Sequence, residues 1–266
     1  MKIVNQPRLL PIVAVVTRSY AFAWERRNVL AAPYAIYAAL TIALDLFVSH
    51  VIDSDPAISY ATQALAEIFG LAFAVGIQRF VLLGEMRPGI AFFRWDRNFV
   101  QYVATTLLLV LGAAIVVILA TRVGGAFGVA PGGGANSGAA AGLGLVMILV
   151  IAIAATTFAR LSLTLPAAAL GEPDRLQRVW QATQRNGGRL FAAAVIVVLP
   201  FLIVQLILLK LSSQDQATGE ALIAGEPIWP VQILLGLISP IQLIVLTVML
   251  ALNYDALVRG GGPEGN

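Results

Sequence analysis

The chain has 266 residues, of which 59% are hydrophobic and 12% are charged, and its formal net charge is +3. Soluble domains average roughly 45–50% apolar and about 25% charged residues. This composition excludes an ordinary soluble domain and favours an integral membrane protein. Because the chain contains no cysteine, a disulfide framework and thiol chemistry are excluded as well.

Apolar runs of about 20 residues, the length that crosses roughly 30 Å of hydrocarbon as a helix, recur along the chain. The predicted spans are residues 29–49, 61–83, 99–120, 141–159, 190–209 and 229–252. No connection between them has the usual size of a soluble domain. The predicted fold class is therefore all-α, with one integral membrane domain over residues 1–266 and six transmembrane helices arranged as three hairpins.

The basic residues predict the orientation of these hairpins, because Lys and Arg near span ends are retained on the cytoplasmic side. Fifteen of the 17 basic residues lie before the first span, between spans two and three, between spans four and five, or after the sixth span. Only Arg122 and Lys210 lie in the alternate connections. We therefore expect both termini to be cytoplasmic.

A charged and aromatic segment recurs before each odd-numbered span. Its copies read YAFAWERRNVLAAP, AFFRWDRNFVQYVA and RVWQATQRNGGRLFAA, and each places a Trp shortly before an Arg-Asn pair. A second repeat, LLGE ending at Glu85 and ALGE ending at Glu172, precedes the second and third copies. The sequence thus predicts three units, each made of a cytoplasmic interfacial segment and a membrane hairpin.

We expect the interfacial segments to lie in the plane of the membrane surface, with aromatic residues at headgroup depth and basic residues reaching lipid phosphates. The segments cover about residues 8–27, 87–97 and 174–186. The predicted headgroup residues are Arg26, Arg27, Arg94, Arg97, Arg185, Arg189, Trp24, Trp95 and Trp180. The expected partner is anionic phospholipid, not nucleic acid, because the basic residues flank apolar spans. The alternative is a set of simple basic loops with interfacial tryptophans.

These units also resemble a known family. Together with FARLSLTLPAAALGE at residues 158–172, which leads into LQRVWQATQRNGGRLF, they resemble the six-span membrane domain attached to some bacterial glycerophosphodiester phosphodiesterases, and its stand-alone relatives. The resemblance implies a multi-pass protein of the bacterial cytoplasmic membrane with a role in envelope or lipid biology. Nothing in the chain resembles the soluble phosphodiesterase barrel, so that activity is not implied.

Two acidic residues lie inside predicted spans, Asp45 in the first and Glu67 in the second. The helical repeat places Thr41 on the row of Asp45 and Gln63 on the row of Glu67. Measured from His50 and Ile58, helical rise puts the two acids at depths of about 8 and 13 Å on the non-cytoplasmic side. Acids inside a membrane are functional candidates by default. Either they hold an exchangeable proton, as in coupled carriers, or each pairs with a base or hydroxyl in the bundle.

Two further patterns concern packing. The first span carries a small residue at every fourth position, Ala31, Ala35, Ala39 and Ala43. Such a stripe lets helices approach closely, so we expect it in the core, with self-association as the alternative. Pro200 and Pro240 are expected to kink the fifth and sixth spans.

The residue types of the chain give little support for an enzyme active site. His50 is the only histidine, which removes His-cluster metal sites and leaves one possible imidazole base. The Gly-rich stretch at residues 124–144 lacks the Lys and hydroxyl of a phosphate-binding loop and reads as a flexible linker. We expect no catalytic residue, metal or cofactor.

The sequence therefore favours a non-catalytic inner-membrane protein whose basic segments engage anionic headgroups or a protein partner. The alternative is a small-solute or ion-coupled transporter that uses Asp45 and Glu67. A cavity between hairpins that reaches both acids would favour transport, whereas a filled bundle would favour the first hypothesis.

Overall fold

The computed structural model describes residues 9–51, 56–126, 138–173, 175–214 and 229–260. Within these ranges every regular element is helical. The α-helices are α1 Ile12–Glu25, α2 Arg27–Val51, α3 Pro56–Leu83, α4 Arg97–Ala126, α5 Gly138–Leu161, α6 Thr164–Leu170, α7 Arg175–Ala182, α8 Gly187–Gln214 and α9 Trp229–Tyr254. A 3-10 helix, Gly89–Phe92, precedes α4, and a π-helical segment, Asp255–Arg259, follows α9.

Six of these helices, α2, α3, α4, α5, α8 and α9, are long and apolar enough to cross a membrane. Each predicted span lies inside one of them, and the helices pack as the hairpins α2–α3, α4–α5 and α8–α9. The all-α, polytopic fold class is confirmed. The Gly-rich stretch differs from the predicted linker because its two ends continue α4 and begin α5, while residues 127–137 lie outside the described ranges.

The tightest packing lies at one end of the bundle, where α2, α4 and α8 begin. We call this the elbow end and the opposite one the hairpin end. Buried side chains such as Phe73, Leu163, Val197 and Met249 fill the elbow-end half, and α9 is central because it packs against α1, α2, α3 and α8. Farther along, α4 exposes a continuous apolar surface, which is the surface that lipid chains cover in a membrane protein.

The first segment forms a helix, α1, that docks onto α8 and α9. The amide N–H of Leu10 donates to Oδ1 of Asn186 over 3.0 Å, and Arg189 donates to the Leu10 carbonyl over 2.9 Å. Val15 and Ser19 are buried, whereas Trp24 keeps 69% of its surface exposed. One face of α1 therefore belongs to the protein core, and its C-terminal tryptophan lies outside it.

The second segment, residues 87–97, differs from the predicted surface helix. Its only regular element is the 3-10 helix, after which Phe93 and Arg94 are buried. The chain folds inward because Gly76 of α3 has no side chain at the contact: a Cβ there would lie 2.5 Å from the carbonyl oxygen of Phe92. Asp96 then caps α4 by accepting from the amides of Asn98 and Phe99, both over 3.1 Å.

The third segment, residues 174–186, is helical only over α7. Arg185 follows in a left-handed conformation with φ 70°, which interrupts the helix, and Asp174 lies outside the described residues. Before α7, the short helix α6 is almost wholly buried and packs against α3, α4 and α9. The third unit thus brings a buried helix to the elbow end, which the sequence did not indicate.

The LLGE and ALGE repeats adopt the same backbone conformation. Gly84 ends α3 with φ 68°, and Gly171 ends α6 with φ 72°, a region that glycine reaches without the steric cost of a Cβ. The following carboxylates are both bound by arginine: Glu85 by Arg79 and Arg94, and Glu172 by Arg178 at 2.8 Å. The repeated motif therefore ends a helix and places an acid among basic residues.

The alanine stripe of α2 is not in the core, so the packing expectation was wrong. Ala31, Ala35, Ala39 and Ala43 are all exposed, whereas the buried residues described in the same helix are Leu30, Pro33, Tyr37 and Ala38. The larger residues face α3 and α9, and the stripe faces away from the bundle.

The two prolines expected to kink spans, Pro200 and Pro240, lie within α8 and α9 without ending them. In each case a tyrosine hydroxyl donates to the carbonyl three residues before the proline: Tyr20 to that before Pro200 over 2.9 Å, and Tyr34 to that before Pro240 over 3.0 Å. Neighbouring tyrosines thus donate hydrogen bonds to backbone carbonyls near each proline. Such bonds are needed because a membrane interior has no water to supply them.

Candidate functional site

A polar cavity of about 460 Å³ lies between α2, α3 and α9 in the hairpin-end half of the bundle. Its described lining contains all four residues predicted as an intramembrane polar site, Asp45, Glu67, Thr41 and Gln63. The other polar lining residues are Tyr37, Ser59, Thr62, Gln232 and Ser239. The structure therefore brings the predicted residues together in a space large enough for a small ligand.

Helix direction explains why the two acids share this cavity. Asp45 lies six residues before the end of α2, and Glu67 lies eleven residues after the start of α3. A side chain leans toward the N-terminus of its own helix. Because α2 and α3 are antiparallel, Asp45 leans toward the elbow end and Glu67 toward the hairpin end, so both side chains lean into the same part of the hairpin.

Neither carboxylate has a basic partner in the described part of the chain. The ion pairs there involve other acids, and the described residues lining the cavity include no Lys or Arg. The predicted pairing of each acid with a base is therefore not seen among these residues. Both carboxylates are exposed in the protein alone, and when ionised they give the cavity a negative potential.

The hydroxyl groups of the cavity are also disposed as acceptors. Thr41 donates to the carbonyl of Ala38 over 3.0 Å, Thr62 to that of Ser59 over 2.9 Å, and Ser239 to that of Leu235 over 2.9 Å. A hydroxyl has one proton and two lone pairs. Because each proton is committed to the backbone, these groups offer lone pairs to a ligand.

Helix α9 supplies the third wall, which sequence reasoning missed. Gln232, Gly236 and Ser239 follow the i, i+4, i+7 spacing of one helix face, and this polar row in an apolar span was the available signal. Gly236 lets α9 close on α2, since a Cβ there would lie 2.5 Å from Cγ1 of Ile42. Oε1 of Gln232 is buried and has no hydrogen-bond partner among the described residues.

Aromatic side chains close the cavity toward the elbow end. The hydroxyl of Tyr37 lies against Gly70, where a Cβ would be only 2.6 Å away. The Tyr37 ring packs on Phe73, with 5.1 Å between centroids, and Phe73 packs in turn on Phe92 at 5.6 Å and Phe93 at 5.7 Å. The second segment thus supplies two rings of this aromatic floor.

The predicted headgroup residues all lie at the elbow end, but their environments differ. Seven of them have exposed side chains: Arg26, Arg27, Arg97, Arg185, Trp24, Trp95 and Trp180. Arg189 is half-buried by its bond to Leu10. Arg94 is only 5% exposed and lies 2.6 Å from Glu85, so its guanidinium serves an internal ion pair.

Two of the exposed tryptophans carry an arginine on the ring face. Arg27 lies 4.6 Å from the centroid of Trp24, and Arg160 lies 3.8 Å from that of Trp180. Arg160 also donates to the Trp180 carbonyl over 2.8 Å. Trp95 instead packs edge-on against Phe69 and Phe99. The three units therefore keep an exposed tryptophan but hold it by different contacts.

The described residues contain no group of three or more His, Asp or Glu side chains that could hold a metal ion. The chain is a multi-pass membrane protein with a polar cavity at its hairpin end. It matches no protein-family model, and neither a curated protein nor a solved structure is significantly similar to it.

Proposed function

We propose that the cavity binds a small organic cation bearing N–H donors, such as an ammonium or guanidinium group, and that the protein transports this solute. The observation that carries the proposal is the presence of Asp45 and Glu67, which have no ion-pair partner among the described residues, in an acceptor-rich cavity. Two carboxylates on membrane-spanning helices need a positive charge or protons. The lone pairs of Thr41, Thr62 and Ser239 match N–H donors and disfavour anions.

The position of Glu67 also fits transport. Helix α3 begins at Pro56, earlier than the predicted span, so that Glu67 lies about 16 Å along the helix by its rise per residue. Half of a hydrocarbon layer is roughly 15 Å, and carriers place their sites near this midplane. A cavity closed by aromatic residues on one side corresponds to one of the two states of alternating access.

The orientation of the protein, its location and its lack of catalytic activity are part of the same proposal. The distribution of basic residues supports an elbow end in the cytoplasm, so that the cavity opens away from it. We place the protein in a bacterial inner membrane, without catalytic activity, as expected from the resemblance to the membrane domain of the phosphodiesterases. In this orientation the protein is an outward-facing carrier.

Uptake into liposomes tests the proposal. Radiolabelled guanidinium should enter liposomes that contain the purified protein, whereas its neutral near-isostere urea, and acetate, should not. Asp45→Asn and Glu67→Gln should each reduce uptake by about tenfold or more, the effect of losing roughly 1.4 kcal/mol of binding. Glu25→Gln, which removes an exposed carboxylate of α1, is the matched control and should behave as wild type. If neither Asp45→Asn nor Glu67→Gln reduces uptake, the proposal is contradicted.

Anionic lipid remains the second candidate ligand, at a different surface. It is favoured by the exposed tryptophans and arginines of the elbow end, the arrangement of residues that anchor at headgroups. A variant that replaces Arg26, Arg97 and Arg185 by Gln should lose the extra thermal stability that anionic liposomes give over neutral ones. Equal stability of wild type in the two kinds of liposome would exclude this role. Arg94 is left intact because it is buried.

A further inference from the structure

Two amide side chains at the elbow-end side of the aromatic floor are completely buried yet incompletely bonded. Gln78 of α3 and Asn253 of α9 are both 0% exposed. Oε1 of Gln78 and both Oδ1 and Nδ2 of Asn253 have no hydrogen-bond partner within the described residues. The amide of Gln78 makes only a long 3.4 Å bond to the hydroxyl of Tyr102. Buried polar groups normally find partners, because an unmet one destabilises the fold.

The two amides lie on helices that pack against the same short helix, α6. Gln78 lies five residues before the end of α3, and Asn253 lies one residue before the end of α9. Both helices pack against α6, and α4, which carries Tyr102, does so too. Next to Asn253, the buried Tyr254 donates from its hydroxyl over 2.6 Å to Glu172, whose side chain is 22% exposed at the elbow end. The unmet groups therefore lie between the aromatic floor and the polar surface of this end.

We propose that Gln78 and Asn253 line the inward half of the solute route, where they bind water beside α6. This inference rests on the proposed transport function, because it supplies the part of the route that the outer cavity lacks. Water fits these groups since it both donates and accepts. A bare cation does not fit Asn253, whose Nδ2 is a donor, and an apolar ligand would leave every group unmet.

The inference explains why such residues persist in a tightly packed region. Leucine at Asn253 would remove two polar atoms that have no partner among the described residues, and replacing such groups with apolar groups of similar shape is nearly neutral or stabilising. Residues that lower stability while serving function are a common form of trade-off. A purely structural role predicts the opposite, because the native side chains would then stabilise the fold.

The absence of cysteine from the chain permits a direct test. Gln78→Cys and Asn253→Cys are reacted with a small water-soluble thiol reagent, methanethiosulfonate ethylammonium, on protein in liposomes. The matched controls are Ile77→Cys and Ala251→Cys, at positions on the same helices that are also 0% exposed. We expect the thiols at the amide positions to react at least about tenfold faster, since a buried thiol without water access must await local unfolding. Equal rates would overturn the inference.

A second measurement separates this inference from the proposed function. Asn253→Leu should raise the melting temperature, lower guanidinium uptake severalfold, and leave guanidinium binding at the outer cavity unchanged. A lower melting temperature with unchanged uptake would assign Asn253 a structural role and contradict the inference. If no protein variant, including wild type, takes up guanidinium, the proposed function fails, and the thiol rates still decide whether the amides meet water.

Discussion

At the scale of single residues, Glu85 shows how the elbow end uses charge. Its Oε2 lies 2.6 Å from Arg94 and 3.0 Å from Arg79. Desolvation acts to raise the pKa of Glu85, but the hydrogen bonds and positive charges of Arg79 and Arg94 outweigh it and lower the pKa. Because Arg94 is almost fully buried, Glu85 supplies the charge that makes its burial tolerable.

This ion pair predicts a loss of stability in acid. The folded-state pKa of Glu85 lies below its ordinary value of 4.5, so the stabilisation is present above that value and is lost as the pH falls through the lowered pKa. Glu85→Gln should cost about 1–3 kcal/mol at neutral pH, less than a fully buried pair because Glu85 is partly exposed. It should also reduce the acid-induced decrease in melting temperature, measured by tryptophan fluorescence in neutral detergent.

The control for this prediction is Glu25→Gln, which removes an exposed carboxylate from α1. This variant should keep the melting temperature and the pH profile of wild type, because an isolated surface charge contributes little. An acid profile of Glu85→Gln identical to that of wild type would show that another group controls the transition.

At the scale of elements, the position of the second segment depends on a glycine of α3. Gly76→Ala would place a methyl group 2.5 Å from the Phe92 carbonyl oxygen, and we expect a destabilisation of about 1–3 kcal/mol from overpacking. Gly188→Ala is the matched change in α8, where an added Cβ meets nothing within 4 Å. It should stabilise by up to about 1 kcal/mol through helix propensity. Thermal unfolding of both variants tests the contrast, and equal effects would contradict the packing described here.

The same scale shows what sequence patterns reveal about elements. The six spans were predictable because each depends on a local run of apolar residues. The inward fold of residues 87–97 was not, because a Phe-Phe-Arg stretch suits a membrane surface as well as a core, and only the contact with Gly76 decides between them. Glu85 in LLGE was an available signal for the burial of Arg94, since a repeated acid among arginines indicates an internal ion pair.

At the scale of the whole molecule, the cavity was half predictable. Asp45, Glu67, Thr41 and Gln63 share a hairpin, so helical spacing alone groups them. The wall from α9 depends on how the third hairpin packs against the first, about 190 residues apart in sequence, and one chain's pattern does not specify that pairing. The resemblance to the phosphodiesterase membrane domain stays a prediction.

The central claim is that a cation occupies this cavity from the non-cytoplasmic side, and one measurement tests it most directly. Ser59→Cys places a single thiol in the cavity lining. In intact cells, a membrane-impermeant maleimide should label it, and guanidinium, but not urea or acetate, should slow the labelling. The protection should disappear when Asp45→Asn and Glu67→Gln are added. Labelling only after permeabilisation, or labelling that guanidinium leaves unchanged, would contradict the account.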